Sequence, residues 1–333
     1  MDFPRLQIAL IAAAWIAVGS LMHIAGTAVS LLWWMVVLGC LVYQCWWIFP
    51  YTKWHRVEVA STDKNHGLAE LTILTSNVLM DNRDAGPLIE LVKKHRPHVL
   101  ATLETDQWWE SQLDTLEDYP HRLSKALDNK YGMHIYSRIP LSRESITSLV
   151  EEDVPSMAIE LQIGSKLPVT FHLLHPRPPA PGENSRSTER DVELLVLAKH
   201  LQDMQTPLIV SGDLNDVAWS RTTRLFRRLS GLLDIRVGRG MFNTFHADFP
   251  FLRWPLDHIF VSGHFSVVSI RRLAHIGSDH FPVLATLACS SLDEQEPHLD
   301  MDNADLELAE QTLSTDVAAD AANPELPPKP VSG

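Results

Sequence analysis

Between Leu6 and Phe49 the chain carries no Asp, Glu, Lys or Arg, a run of forty-four residues. A signal-peptide core takes only ~7–15 apolar residues, whereas a helix needs ~20 to cross a bilayer. The run therefore has room for two spans, and its least apolar point, His23 to Ser30, offers Gly26-Thr27 as the turn between them. Helices are expected over about residues 6–25 and 28–49, with Trp33, Trp34, Trp46, Trp47 and Tyr51 in the interfacial aromatic belt. No polar face repeats along either helix, which argues against a buried soluble pair. Residues 1–51 are thus read as a transmembrane helical hairpin in the cell's inner membrane, with the lipid bilayer as partner. Arg5 precedes the first span, Lys53 and Arg56 follow the second, and the turn has no basic residue. That bias places the rest of the chain on the cytoplasmic side; a single kinked span would put it on the periplasmic side.

Residues 52–67 are polar and read as a linker, and residues 68–289 form the next unit. There, apolar runs alternate with helical periodicity, the pattern of an α/β domain. Strands are expected at Leu71–Val78, Val99–Glu104, Tyr131–Arg138, Met157–Ile163, Pro168–His175, Leu208–Asp213 and Leu256–Val261, with a last core segment at Ile276–Ala285. Helices are expected at Ala85–His95, Thr188–Gln202 and Trp219–Leu229. A Pro-rich loop, Pro176 to Gly182, follows His175.

The net charge of -13 is concentrated at one end, because residues 291–333 hold eleven acidic side chains against Lys329 alone. Residues 1–290 are left with -3, which excludes the broad basic surface of a dedicated duplex binder. The acidic segment 290–333 is poor in aromatics and is read as disordered. Cys40, Cys45 and Cys289 give neither a disulfide framework nor zinc spacing.

Several strands end in groups suited to metal or phosphate chemistry. In Leu208-Ile209-Val210-Ser211-Gly212-Asp213-Leu214-Asn215-Asp216, a buried strand runs into a glycine and then presents an acid and an amide two residues apart. Gly212 would permit a tight turn and the approach of a ligand. An Asx-turn with a helix N-cap explains the stretch equally well, and its residues leave both readings open. Asn77, Glu104, His175, Asp257, Asp279 and His280 each have a similarly ordinary explanation. Their recurrence at the strand ends of one domain does not.

In this order, Asn77, Leu103-Glu104, Ser137-Arg138, His175, Gly212-Asp213-Leu214-Asn215, Leu256-Asp257-His258 and Ser278-Asp279-His280-Phe281-Pro282 resemble the endonuclease/exonuclease/phosphatase superfamily. That group includes DNase I-like nucleases, apurinic endonucleases, inositol-polyphosphate phosphatases and neutral sphingomyelinases. The resemblance implies an α/β fold with a two-sheet β-sandwich flanked by helices, a phosphate-ester substrate and a divalent metal, magnesium with manganese as an alternative. It implies Glu104 as principal metal ligand beside Asn77, with Asp279 supporting the metal shell. Asp213 would orient or deprotonate water, and Asn215 would hold a phosphoryl oxygen. His280, set by Asp257, would contact the phosphate, and His175 would stabilise developing charge or assist the leaving group. For Arg138 the resemblance leaves a phosphate-side role and a structural ion pair level. Leu79, Leu103 and His98 depart from the pattern, standing where relatives often carry an acid, Gln and Asp respectively.

The substrate is less defined. Arg221, Arg224, Arg227, Arg228, Arg236 and Arg239 suit either a nuclease or a solvated helix face. The tether, the near-neutral body and the acidic segment make nucleic acid the less favoured partner. The Pro-rich loop and Trp219 resemble a bacterial membrane-associated branch of the superfamily, one type of which acts on polyprenyl pyrophosphate. A lipid-linked or membrane-proximal phosphate is therefore the expected substrate, with a membrane-tethered nuclease and a non-catalytic scaffold as the alternatives.

Overall fold

The computed structural model describes residues 2–21, 28–63, 67–164, 167–178, 188–202, 204–290 and 303–314. Two apolar helices, α1 (Arg5–Leu21) and α2 (Ala28–Ile48), lead through a 3₁₀ turn at Phe49–Tyr51 into the α/β unit. The elements of that unit are, in order, β1 (Ala69–Asn77), α3 (Gly86–His95), β2 (Val99–Leu103), α4 (Gln107–Leu113), β3 (His121–Lys125), β4 (Met133–Ser137), β5 (Leu141–Ser148), β6 (Pro155–Ile163), β7 (Leu167–Leu174), α5 (Thr188–Leu201), β8 (Leu208–Asp213), α6 (Arg221–Ser230), β9 (Leu233–Asp234), β10 (Asp257–Val261), β11 (Phe265–Arg272) and β12 (Val283–Cys289). One further helix, α7 (Asn303–Leu313), follows.

The strands form two six-stranded sheets, ordered β11-β12-β1-β2-β4-β3 and β5-β6-β7-β8-β10-β9. Alternation along each strand turns one set of apolar side chains inward, so Leu71, Ile73, Ala101 and Ile135 of the first sheet meet Ile159, Phe171, Ile209 and Ile259 of the second. The opposite faces are covered by helices: Leu88 and Val92 of α3 and Trp109 of α4 on one side, Leu194 and Leu197 of α5 and Phe226 of α6 on the other. This is the expected two-sheet sandwich flanked by helices.

Pairing direction decides where the polar strand ends gather. β1 runs parallel to β2, and β7 parallel to β8, so Asn77 lies opposite Leu103 and Leu174 opposite Gly212 at one edge of the sandwich. β10 starts at that edge, antiparallel to β8, with Asp257 opposite Asp213. Between the sheets, Thr75 Oγ1 and Ser211 Oγ meet at 2.8 Å. Two residues further along each strand, on the same faces, stand Asn77 and Asp213.

The N-terminal helices dock beside this edge. Ala9, Ile48 and Tyr51 pack with Val217, Ala218, Trp219 and Leu256. The Tyr51 hydroxyl donates to Ala218 O at 2.7 Å, and Trp219 Nε1 donates to Asp2 O at 2.7 Å. Of the helices among the described residues, one apolar segment, Leu31–Tyr51, is long enough to cross a membrane, and Arg5–Ser20 is shorter. The expected turn at Gly26-Thr27 lies outside the described residues.

Two expectations from the sequence need correction. The segment read as a linker is strapped to the domain: Val59 is fully buried, Glu58 pairs with the buried Arg227, and Ser61 bridges to Val267. Within the acidic segment read as disordered, α7 packs Ala309 and Leu308 against the α5–α6 layer, and Asp305 pairs with Arg228 at 2.6 Å. Apolar spacing along α7 outweighs the local charge there. Residues 315–333 lie outside the described set.

Candidate active site

Glu104 follows β2 in the left-handed region (φ 58°), which turns the chain out of the strand and its carboxylate toward β1. Asn77 Nδ2 donates to Glu104 Oε1 at 2.8 Å and to Asp213 Oδ2 at 3.2 Å, tying the two sheets together at the site. Its Oδ1 accepts from Leu79 N–H at 3.0 Å. Asn77 thus orients the two acids, where the sequence suggested chiefly a ligand. Burial raises the Glu104 pKa, the Asn77 bond opposes that rise, and the negative charge of Asp279 adds to it. Glu104 is half-buried and makes no ion pair with Lys or Arg among the described residues, which leaves an oxygen donor suited to a hard divalent ion. Such an ion, when bound, would polarise a phosphoryl oxygen and neutralise charge on it.

Opposite stands a buried histidine between two acids. His280 Nδ1 lies 2.8 Å from Asp257 Oδ2, and its Nε2 lies 3.4 Å from Asp213 Oδ2. Burial alone would lower the pKa of His280, but Asp257 and Asp213 outweigh it and hold the value up to about 10. The imidazole is therefore a cation at neutral pH, able to hold a phosphoryl oxygen. Asp257 is correspondingly pulled down by His280 against its own burial. Asp213 moves the other way: burial raises it, with His280 opposing. Candidate ligand atoms of Asp213, Asp257 and His280 lie within 4.8 Å of one another. This is the group with metal-ligand spacing among the described residues, and within it His280 Nδ1 is already bonded to Asp257.

His175, just past β7, places Nε2 3.7 Å from Asp213 Oδ2 and packs against the Tyr131 ring, centroids 5.4 Å apart. Burial lowers its pKa, so it stays neutral beside a cationic His280. Two histidines, one with its pKa lowered and one with it raised, thus flank Asp213. Asn215, also left-handed at φ 52°, takes its N–H back to Asp213 Oδ1 at 3.0 Å. Its Nδ2 donates to Pro176 O at 2.8 Å, fixing the start of the loop after His175. One amide hydrogen and the amide oxygen are left for a phosphoryl group or water.

Gly212 serves a purpose other than ligand approach: a Cβ there would sit 1.9 Å from Leu174 O on the neighbouring strand. Arg138 is not at the site. It ends β4 where Ser137 pairs with Val99, the opposite end from Leu103 and Glu104, and its Nη1 donates to Arg96 O at 3.1 Å. Of the two roles left level for Arg138, register removes the phosphate-side one, and its bond to the Arg96 carbonyl is not an ion pair.

Four contributors escaped the sequence reading. Ser278 Oγ accepts from His280 N–H at 3.0 Å and donates to Asn77 O at 2.8 Å, joining the His280 loop to the end of β1. Thr244 Oγ1 accepts from Asp257 N–H at 3.3 Å, and the Phe245 ring packs 4.9 Å from that of His280. Tyr131 walls His175 and is covered by Arg177, 5.1 Å from its centroid. Only Ser278 had a signal, its place in the Ser-Asp-His triplet.

A DNase I-like sandwich with this site at its edge defines a class of phosphoester hydrolase. The model of the Endonuclease/Exonuclease/phosphatase family matches residues 74–280, well over half of the chain, and the protein belongs to that family. Solved structures with the same fold include D. rerio TDP2 complexed with single strand DNA product (16% identity, TM-score 0.55, covering 66% of this chain and 98% of that one). A family protein from Bacteroides thetaiotaomicron is also similar (18%, TM-score 0.53, 69% and 98%), as is the mannosyl-6-phosphatase Bt3783 of the same organism (18%, TM-score 0.51, 66% and 99%). No curated protein matches the sequence. Members of the family hydrolyse phosphoesters.

Proposed function

We propose that the protein is a membrane-anchored phosphatase or phosphodiesterase that uses a divalent metal, magnesium by preference, on a lipid-linked or membrane-proximal phosphate ester. The observation that carries this reading is the buried His280 held between Asp257 and Asp213, at the edge where α1 and α2 dock. Asp213 takes or orients the proton of the attacking water, His280 and Asn215 hold the phosphoryl oxygens, and His175 serves the leaving group. The helical hairpin crosses the inner membrane and leaves the domain on the cytoplasmic side, in keeping with Arg5, Lys53 and Arg56. Tethering raises the effective concentration of a bilayer-resident substrate. The nuclease reading loses its main support, because most of the arginines it drew on are engaged elsewhere. Arg227 pairs with Glu58, Arg228 with Asp305 and Arg236 with Asp234, while Arg239 donates to Val59 O and Ser61 Oγ, and Arg224 lies over Trp47.

The test compares plasmid nicking with phosphate release from polyprenyl pyrophosphate and phospholipid head groups by the full chain in mixed micelles. Release from lipid is expected to dominate; efficient nicking with no lipid turnover would overturn the assignment. A topology reporter fused after residue 56 should report cytoplasmic.

A further inference from the structure

Beside the site the chain makes a short loop whose tip is apolar and exposed. Phe245 and Trp254 pair as an antiparallel bridge, and the loop between them carries Phe249, Phe251 and Leu252 at 55%, 87% and 50% exposure. Isolated exposed apolar residues are ordinary, but three at one tip, two of them aromatic, form a patch.

The loop is fixed at both ends. On the site side, Ala247 N–H donates to Asp279 O at 2.7 Å and Phe281 N–H donates to Thr244 O at 3.1 Å. On the other side, Gln7 Nε2 in the first turns of α1 donates to Phe251 O at 3.0 Å, and Phe3 packs edge-on against Trp254 at 5.9 Å.

Arg5 marks the boundary of the apolar helices, held between Tyr43 and Trp47 with its guanidinium 5.4 and 5.2 Å from their rings. Gln7 lies two residues further along α1, about 3 Å deeper at the helical rise. The tip at Phe251 therefore lies against the first turns of α1, where the exposed apolar surface of α1 and α2 begins. A cationic shoulder stands behind it: Arg253 and Arg272 lie 4.9 and 4.3 Å from the Phe281 ring. Arg253 also braces the loop by donating to His246 O and Ala247 O. The one acid on the loop, Asp248, turns toward His275 at 3.5 Å.

From this geometry we infer that Phe249, Phe251 and Leu252 form a wedge that enters the head-group layer of the bilayer and sets the His280 site at the lipid surface. The inference rests on the anchor in the proposed function and adds to it a second, independent membrane contact. It defines the substrate as one whose phosphate lies at head-group depth. Apolar tips flanked by basic side chains bind anionic interfaces in this way.

The test uses the full chain with Cys40→Ala, Cys45→Ala and Cys289→Ala, reconstituted in nanodiscs of phosphatidylethanolamine and phosphatidylglycerol. Spin labels are placed singly through Phe251→Cys, Phe249→Cys and, as a reference on the exposed edge strand β5, Ser142→Cys. Power saturation with oxygen and with a water-soluble nickel chelate reads the depth of each label. The oxygen-to-nickel collision ratio is expected to be several times higher at 251 and 249 than at 142. Equal ratios in a chain that stays with the nanodisc would overturn the wedge and leave the anchor standing. Labels shielded from both reagents, as contact with another protein or a second copy would produce, would also overturn it. A chain that does not remain with the nanodisc would overturn the wedge and the anchor together.

Discussion

His280 is a single residue whose chemistry is set by what flanks it. Its pKa of about 10 exceeds the ordinary 6.5, so its ionic contribution to stability is complete below 6.5 and fades as the pH rises through about 10. In the proposed mechanism the same cation holds the phosphoryl group, so the alkaline limb of the rate profile should follow it. Asp257→Asn keeps the hydrogen-bonding shape but removes a charge that raises His280. The alkaline limb should then move to lower pH, by a unit or more at about 1.4 kcal/mol per unit. An unmoved limb would mean that His280 is not the titrating group. At this scale the site was largely legible from sequence, because Asn77, Glu104, His175, Asp213, Asn215, Asp257, Asp279 and His280 converge at one edge. For Arg138 the sequence left two roles level, since a motif does not reveal which end of an antiparallel strand meets the others. Thr244, Phe245 and Tyr131 act through packing and hydrogen bonds that leave no pattern in the chain.

Among the elements, the central strands were legible and the outer ones were not. The strands missed were β3, β5, β9 and β11, and these are the four edge strands of the two sheets. An edge strand such as His121-Arg122-Leu123-Ser124-Lys125 is half solvated, keeps charge and lacks the continuous apolar run that signals a buried strand, while β9 is buried but only two residues long. The β7–β8 pair carries a sharper constraint. Gly212→Ala would press a methyl group onto the Leu174 carbonyl, a backbone atom that cannot rotate away. Destabilisation at the upper end of the overpacking range, about 3 kcal/mol, is expected in chemical denaturation. A change within about 0.5 kcal/mol would show that the two strands can separate there without cost.

Over the whole molecule, the helices, the strap at Val59 and Ser61 and the catalytic edge form one packed assembly. The arginine run after β8, which looked from sequence like a nucleic-acid surface or a solvated face, is largely the fastening of that assembly. Sequence could not reveal most of this, because Glu58 and Asp305 lie 169 and 77 residues from their arginines; only Asp234 is near its own, two residues from Arg236. A chain starting at Lys53 would expose Val217, Ala218, Trp219 and Leu256, and it should melt at a lower temperature and aggregate more readily than the full chain. Identical melting would show that the anchor docks without stabilising the domain.

The central claim is that Glu104 holds a metal while His280 holds the phosphate. It is tested most directly by titrating magnesium against hydrolysis of bis-p-nitrophenyl phosphate by the full chain, the Glu104→Gln variant and the His280→Ala variant. The parent should be inactive after chelation and recover with metal. Glu104→Gln should need far more metal, and His280→Ala should stay about 10²- to 10⁴-fold slower at every metal concentration. Parent-like turnover in both variants, or turnover indifferent to chelation, would contradict the account.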